Sequence, residues 1–176
     1  MSTFKFKQLF DDSQAAFRDK PEEAAVSFAV ESRQVSGFQS TVSTRQFSFD
    51  ADEPEELGGR DTAPNPVEYL LAALATCQEV TYRLYADALH IPLDGVSVKL
   101  EGALDLRGFL DVDDSVRPGY LRINGTVTLD SPAGDEELAR LKQTVDRHCP
   151  VLDSLRNPTP VNLTINHVRQ TAVAAE

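Results

Sequence analysis

The stretch GGRDTAPNPVEYLLAALATCQEVTYRLYADAL, residues 58–89, contains the signals that decide the fold. Asn65 is a favourable N-cap, Pro66 suits the first helical position, and Glu68 stands three residues after the cap, as in a capping box. We therefore predict a helix from about Pro66 to Leu89, ended by Pro92. Its apolar stripe should face the core and consists of Val67, Leu70, Leu71, Leu74, Cys77, Thr81, Leu84 and Ala88.

Composition and charge limit the classes of protein that the chain can represent. With 176 residues, of which 41% are hydrophobic and 26% charged, we predict a single globular domain. No apolar run reaches the roughly 18 residues that cross a bilayer, and the N-terminus lacks an export signal, so we expect a cytoplasmic protein without a membrane partner. The net charge of −11 argues against a nucleic-acid partner, because such binding depends on clustered Lys and Arg.

Hydropathy patterns on both sides of this helix predict the remaining elements. Residues 24–32, 37–45 and 45–52 alternate apolar and polar side chains and predict a three-stranded antiparallel meander with a turn at Gly37. After the helix, we predict strands at 96–110 and 120–130, a helix at 135–148, a short helical turn after Pro150 and a last strand at 160–169. Residues 1–22 are predicted to be a weakly ordered arm or short helix, and residues 170–176 a disordered tail. This order predicts an α+β fold.

The chain contains two cysteines, Cys77 in the central helix and Cys149 in the segment HCPV, and their chemical role is open at this point. Two cysteines in a cytoplasmic chain do not make a disulfide framework, but they can form a transient redox pair. Cys149 and His148 precede Pro150 at the start of a helical turn, where unsatisfied N–H groups lower the pKa of a thiol. A zinc site would need closely spaced ligand pairs, and a Cys-His hydrolase an orienting acid, so we expect neither.

Three blocks of the sequence, LGGRDTAPNPVEYLLAALATC (57–77), EGALDLRGF (101–109) and HCPVLDSLRNPTPV (148–161), point to a known family. Together they resemble the OsmC/Ohr superfamily, the osmotically inducible protein C and organic hydroperoxide resistance proteins. The resemblance covers roughly residues 25–168 and places an OsmC-like domain at 23–169. It implies β3-α-β2-α-β subunits that form an intertwined, swapped homodimer, with the long central helix bearing Cys77.

The resemblance implies a thiol-dependent peroxidase of the oxidative stress response that reduces alkyl or lipid hydroperoxides. Cys77 would be the peroxidatic cysteine, oxidised to a sulfenic acid, and Cys149 would resolve that acid as a disulfide. An external dithiol, such as a lipoyl protein, would then reduce the disulfide. No bound cofactor or metal is expected.

Family peroxidases also use an arginine that holds the thiolate and a glutamate that orients the arginine. The resemblance places the arginine in the meander, where Arg33 is the first candidate and Arg45 the alternative. In the hydroperoxide-resistance branch the glutamate directly follows Asn-Pro, a position that Val67 occupies here. Glu68, one position later, is a candidate whose presence a capping box also explains. The loop acids that could substitute are Glu55, Glu56 and Asp61.

Three hypotheses therefore stand at the level of sequence. The first is a dimeric peroxidase that acts through Cys77 and Cys149. The second is a non-catalytic OsmC-like dimer that binds a small apolar or thiol ligand at the subunit interface. In the third, both cysteines are core residues without chemistry, as free cysteines in helices often are.

Overall fold

Helix α2, Pro66–Ala88, is the longest element of the computed structural model, which describes residues 4–168. The Asn65 side chain accepts a hydrogen bond from the backbone N–H of Glu68, and the Glu68 carboxylate accepts one from the Asn65 N–H, both at 2.9 Å. The predicted capping box is therefore present. The helix ends ahead of Pro92, where His90 turns the chain with a positive φ of 56°.

The three strands before α2, and the two strands and the helix after it, come in the predicted α+β order, with additional helices between them. Besides α2, the elements are α1 (Lys7–Asp19), β1 (Glu31–Ser36), β2 (Gln39–Thr44), β3 (Phe47–Ala51), β4 (Gly95–Ala103), α3 (Leu106–Phe109), β5 (Arg122–Asp130), α4 (Asp135–His148) and α5 (Pro150–Arg156). Short 3₁₀ turns lie at Pro21–Ala24 and Glu55–Leu57. Among residues 4–168, no helix is both long enough and apolar enough to cross a membrane.

Strands β1, β2 and β3 form the predicted antiparallel meander, but β1 begins later than the sequence suggests. Glu31 pairs with Ser43, and β2 ends one residue later at a turn in which Arg45 has a φ of 52°. Residues 24–30 therefore have no ladder partner on β2, and the prediction of a strand at 24–32 was wrong over most of its length. The turn at Gly37, with a φ of 57°, is where the sequence placed it.

Strands β4 and β5 form a separate antiparallel pair in which Ala103 faces Arg122. The strand predicted at 96–110 stops there, because β5 offers no partner beyond Arg122. The chain instead enters α3, whose cap is Asp105: its carboxylate accepts a hydrogen bond from the Arg107 N–H at 3.0 Å. The alternating pattern thus predicted the strand but not its end.

The core lies where α2 and α4 pack together against one end of the β4–β5 pair. Its buried residues are Tyr82, Ala86, Ile91, Leu93, Leu141 and Val145. The apolar face predicted for α4 is confirmed, because Leu141 and Val145 are fully buried. On α2 the buried face lies further round than predicted: Val67 and Leu70 remain exposed, since no element of the described chain covers that side of the first turns.

The described part of the C-terminal segment, residues 157–168, does not form a strand. Residues 157–168 lie outside any helix or ladder, and the alternating side chains of Val161, Leu163 and Ile165 are 74%, 91% and 97% exposed. The pattern that predicted a strand at 160–169 is present, but among the described residues no strand edge pairs with it. The predicted disordered tail, 170–176, lies outside the described residues.

The N-terminal segment contains a well-formed helix, so the helical alternative applies to residues 7–19. Helix α1 packs against the end of α2, where Phe10 meets the ring of Tyr85 edge to face. The Phe6 N–H donates a hydrogen bond of 2.7 Å to Asp87, which is buried. This contact satisfies a buried carboxylate and ties the segment to the domain.

The loop before α2 is organised by Asp52, a buried acid at the end of β3. Its carboxylate accepts hydrogen bonds from the Thr62 hydroxyl at 2.7 Å and from the backbone N–H groups of Glu53, Arg60 and Thr62. The Thr62 hydroxyl and these N–H groups hold the pKa of Asp52 below its ordinary value. One side chain therefore fixes the path that leads to the cap of α2.

We predict that Asp52→Asn lowers the Tm at neutral pH and weakens the acid sensitivity of the protein. The pKa of Asp52 is lower in the folded than in the unfolded protein, so the unfolded chain binds more protons as the pH falls. The stability that the ionised Asp52 contributes is therefore lost below about pH 4. In thermal melts between pH 7 and pH 3, the Tm of the variant should therefore fall less steeply with pH than the Tm of the wild type. The matched control is Asp114→Asn, at an exposed loop position. Parallel curves for wild type and Asp52→Asn would contradict this account.

Candidate functional site

The two cysteines meet although 72 residues separate them in the sequence. The Cys149 thiol donates a hydrogen bond to Cys77 Sγ, and the two sulfurs are 3.3 Å apart. Cys77 lies in the middle of α2, and Cys149 is the extended residue that joins α4 to α5. A disulfide requires sulfurs about 2.05 Å apart, so a small side-chain movement is enough to form one.

The two thiols differ in their access to solvent. Cys149 is 1% exposed, whereas Cys77 is half-buried. An external molecule can therefore reach the sulfur of Cys77 more readily than that of Cys149. Of the two thiols, Cys77 is thus the one that is open to reagents in solution.

Burial raises the pKa of the Cys77 thiol above its usual range, and the neighbouring Cys149 acts in the same direction. The backbone N–H of Val151, in the first turn of α5, and the hydroxyl of Thr81 lower the pKa by hydrogen bonding. Burial has the largest effect. In the single chain, burial therefore favours the protonated thiol of Cys77, and a positive charge nearby would favour the nucleophilic thiolate.

The histidine next to Cys149 does not supply that charge. His148 Nδ1 lies 2.7 Å from the carbonyl oxygen of Thr144, and its ring stacks on Tyr85 with centroids 5.0 Å apart. Across residues 4–168, no group of three or more His, Cys, Asp and Glu side chains is placed to hold a metal ion. The described part of the chain thus offers a pair of thiols and neither a Cys-His pair nor a metal centre.

Comparison with known proteins identifies the family. The model of the family described as OsmC-like protein matches residues 59–164, which include both cysteines and most of the domain. The chain belongs to the OsmC-like protein family. A search of curated protein sequences found no match.

Solved structures agree with this assignment. An OsmC-like protein from Mycoplasma pneumoniae superimposes with a TM-score of 0.67 at 20% identity, over 76% of this chain and 89% of that chain. An organic hydroperoxide resistance protein OsmC from Legionella pneumophila gives 0.57 at 22% identity, over 74% and 90%. The organic hydroperoxide resistance protein OhrB of Bacillus subtilis gives 0.50 at 20% identity, over 76% and 93%. At these identities the likeness establishes the OsmC-like α+β fold.

In this OsmC-like protein, neither candidate arginine reaches the cysteines of its own chain. Arg33 lies on β1 with its side chain 83% exposed, and its Nη2 is 3.8 Å from a carboxylate oxygen of Glu31. Arg45 lies in the turn between β2 and β3 and stacks on Phe47 at 5.2 Å. Within residues 4–168, no arginine forms a hydrogen bond with either sulfur.

The candidate acids are also placed away from the sulfurs. Glu68 serves the capping box of α2, and Val67, which follows Asn65-Pro66, accepts a hydrogen bond from the Tyr120 hydroxyl through its backbone carbonyl at 2.8 Å. The loop acids Glu55, Glu56 and Asp61 are exposed. The structure thus joins Cys77 with Cys149 and leaves Arg33, Arg45 and Glu68 apart from them.

One residue beside the site escaped the sequence analysis. Gln78 follows Cys77 but is 93% buried, and its amide nitrogen has no hydrogen-bond partner within the described chain. Only its spacing signals a buried position, because it stands one turn from Leu74 and one turn from Tyr82, both of which are buried. Apart from this spacing, nothing in the sequence separates Gln78 from a surface glutamine.

We predict that the OsmC-like protein forms an intramolecular Cys77–Cys149 disulfide rapidly with the thiol oxidant diamide. The 3.3 Å separation requires no unfolding, so the intact mass should fall by two hydrogen atoms while the circular dichroism spectrum stays unchanged. Cys77→Ser and Cys149→Ser are the matched controls and should show no such loss. Two thiols that still react with a maleimide after diamide treatment would contradict the geometry.

Proposed function

We propose that this OsmC-like protein is a cysteine-based peroxidase that reduces organic hydroperoxides. The observation that carries the proposal is the 3.3 Å contact between the sulfurs of Cys77 and Cys149. A structural role for either thiol would not require them to meet, whereas a peroxidatic and a resolving cysteine must. The names of several structural relatives, which are organic hydroperoxide resistance proteins, agree with this chemistry.

The proposed cycle has three balanced steps. The Cys77 thiolate attacks the terminal oxygen of the hydroperoxide, the O–O bond breaks, and the alcohol leaves with a proton while Cys77 becomes a sulfenic acid. The Cys149 thiol then attacks that sulfur, which releases water and forms the disulfide. An external dithiol, such as that of a lipoyl protein, then reduces the Cys77–Cys149 disulfide to two thiols and is itself oxidised to a disulfide. No bound cofactor takes part.

The difference in burial supports the assignment of roles. Cys77 is half-buried and within reach of a substrate, whereas Cys149 is only 1% exposed and has Cys77 as its thiol's hydrogen-bond partner. The Val151 N–H beside Cys77 also favours negative charge on that sulfur. Peroxide should therefore oxidise Cys77 first, and Cys149 should react only with the resulting sulfenic acid.

The proposal needs a positive charge, because burial raises the pKa of the Cys77 thiol and the described part of one chain brings no cation to it. We assign this charge to Arg33 of a second subunit. Arg33 is highly exposed on β1, and Glu31 lies beside it at 3.8 Å as an acid that could orient the guanidinium. Such a pair would replace the glutamate that Val67 displaces.

Exposed apolar surface supports a homodimer of the intertwined kind. Every residue of β1 is exposed, and Phe38, Phe47 and Phe49 of the same meander are between 40% and 56% exposed. The unpaired segment with Val161, Leu163 and Ile165 adds a second apolar stretch. Surfaces of this kind usually lie in an interface. We therefore propose that the meander of each subunit packs on the other, in a reducing compartment such as the cytoplasm.

We predict that the protein consumes cumene hydroperoxide in the presence of a dithiol and that Cys77→Ser abolishes turnover. Cys149→Ser should retain the first oxidation and accumulate the sulfenic acid, which a dimedone probe detects. Arg33→Ala should lower kcat/KM by roughly 10- to 100-fold, because the thiolate loses a charge-assisted contact. Arg45→Ala is the matched control, since Arg45 already stacks on Phe47.

These variants also separate the alternatives. Equal hydroperoxide consumption by wild type and Cys77→Ser would end the peroxidase proposal. A large loss in Arg45→Ala together with full activity in Arg33→Ala would keep the proposed reaction and exchange the two arginines. A concentration-independent monomer in sedimentation would contradict the assignment of the cation to a second subunit.

The second candidate is a non-catalytic dimer that binds a small apolar or thiol ligand at the subunit interface. The raised pKa of Cys77 favours it, because a protonated thiol reacts slowly with peroxide. This candidate predicts hydroperoxide consumption no faster than that of Cys77→Ser, and retention of a thiol ligand that Cys77→Ser releases.

A further inference from the structure

A cavity of about 810 Å³ opens between α2, the β4–β5 pair and helices α4 and α5, and neither cysteine lines it. Its volume lies in the range of roughly 300–1,000 Å³ that is usual for small-molecule sites. More than half of its lining residues are apolar, among them Leu74, Leu100, Ile123 and Leu138. The interior of this cavity is therefore suited to a hydrocarbon chain.

Gln78 lines the same cavity and gives it an unused polar group. Its side chain is 93% buried, and its amide nitrogen has no partner within residues 4–168. Buried donors are almost always paired in folded proteins, so an unpaired one calls for an explanation. A ligand in the cavity would provide an acceptor after a small rotation of the amide.

The lining of the cavity carries more positive than negative side chains, although the chain has a net charge of −11. Four cations line it: Arg117, Arg122, Lys142 and Arg156. The only acid among the lining residues, Asp146, pairs with Lys142 at 2.5 Å. In the described chain, none of the three arginines belongs to a salt bridge, so their charges are available to an anion.

Tyr82 adds a second donor to the wall of the cavity. Burial, followed by the charge of Asp146, raises the pKa of Tyr82 to about 12. Its hydroxyl therefore keeps its proton at physiological pH and can donate, but cannot itself become an anion that repels a negative ligand.

We propose that this cavity binds a long-chain carboxylate, with the alkyl chain against the apolar walls and the carboxylate at Arg117 and Arg122. The combination of apolar and cationic lining side chains matches an amphiphile with a single negative head group. A neutral alkyl ligand would form no ion pair with the arginines, and a short anion would not contact the apolar walls. The site lies beside the thiol pair and does not depend on its chemistry.

Calorimetric titration of the full chain with dodecanoate tests the proposal. We expect saturable binding of one dodecanoate per chain, at least tenfold tighter than dodecanol or acetate. The double variant Arg117→Glu/Arg122→Glu should weaken binding by roughly tenfold or more, because two charge-assisted contacts become repulsive. Arg140→Glu/Arg147→Glu, on exposed positions of α4 that do not line the cavity, is the matched control and should bind as wild type does.

Gln78→Leu provides an independent readout. The Tm of the free protein should rise by a few degrees, since an unpaired buried donor disappears, while dodecanoate binding weakens. Cys77→Ser should bind dodecanoate unchanged, so this proposal can fail or succeed separately from the peroxidase. The proposal is overturned if dodecanoate does not bind, as would follow if a second copy filled the cavity. Equal binding of dodecanol, or undiminished binding by the charge-reversed variant, would overturn it as well.

Discussion

The packing of α2 against α4 is the constraint on which the site depends. Leu141 and Val145 of α4 are fully buried against Tyr82 and Ala86 of α2, so the two helices have one relative position. Cys149 is the first residue after α4, and its N–H still donates to the Val145 carbonyl at 3.0 Å. The core therefore delivers the second sulfur to the first. A substitution that leaves a cavity between α2 and α4 would therefore displace Cys149, although neither cysteine is changed.

The same burial creates the chemical difficulty of the site. Burial of Cys77 beside a second thiol raises its pKa and so favours the protonated form. Peroxide reduction, however, requires the thiolate. The Val151 N–H and the Thr81 hydroxyl offset part of this effect, but burial is the largest one. A dimer in which Arg33 approaches the neighbouring thiol would couple assembly to reactivity. The thiol would then be nucleophilic only in the assembled protein, which limits stray oxidation of the free chain.

Local signals predicted α2 and α4 well, because caps and amphipathic stripes act within a few residues. Asn65, Pro66 and Glu68 located the start of α2, and the bounds of α4 agree with the prediction. Strand ends were predicted poorly, since they depend on a distant partner: β1 starts opposite the end of β2, and β4 stops opposite Arg122. The family resemblance predicted the pairing of the cysteines. The 3.3 Å contact between the sulfurs, the hydrogen bonds that Asp52 accepts and the unpaired amide of Gln78 could be seen only in the structure. Each depends on contacts that no short window of sequence contains.

The central claim is that Cys77 and Cys149 act as one redox unit towards peroxide. The most direct test is intact-mass spectrometry of the reduced protein after one equivalent of cumene hydroperoxide without any reductant. The account predicts a loss of two hydrogen atoms per chain and one cumyl alcohol for each disulfide formed. Two persistent free thiols, or a stable gain of oxygen on Cys77 with Cys149 still reduced, would contradict it.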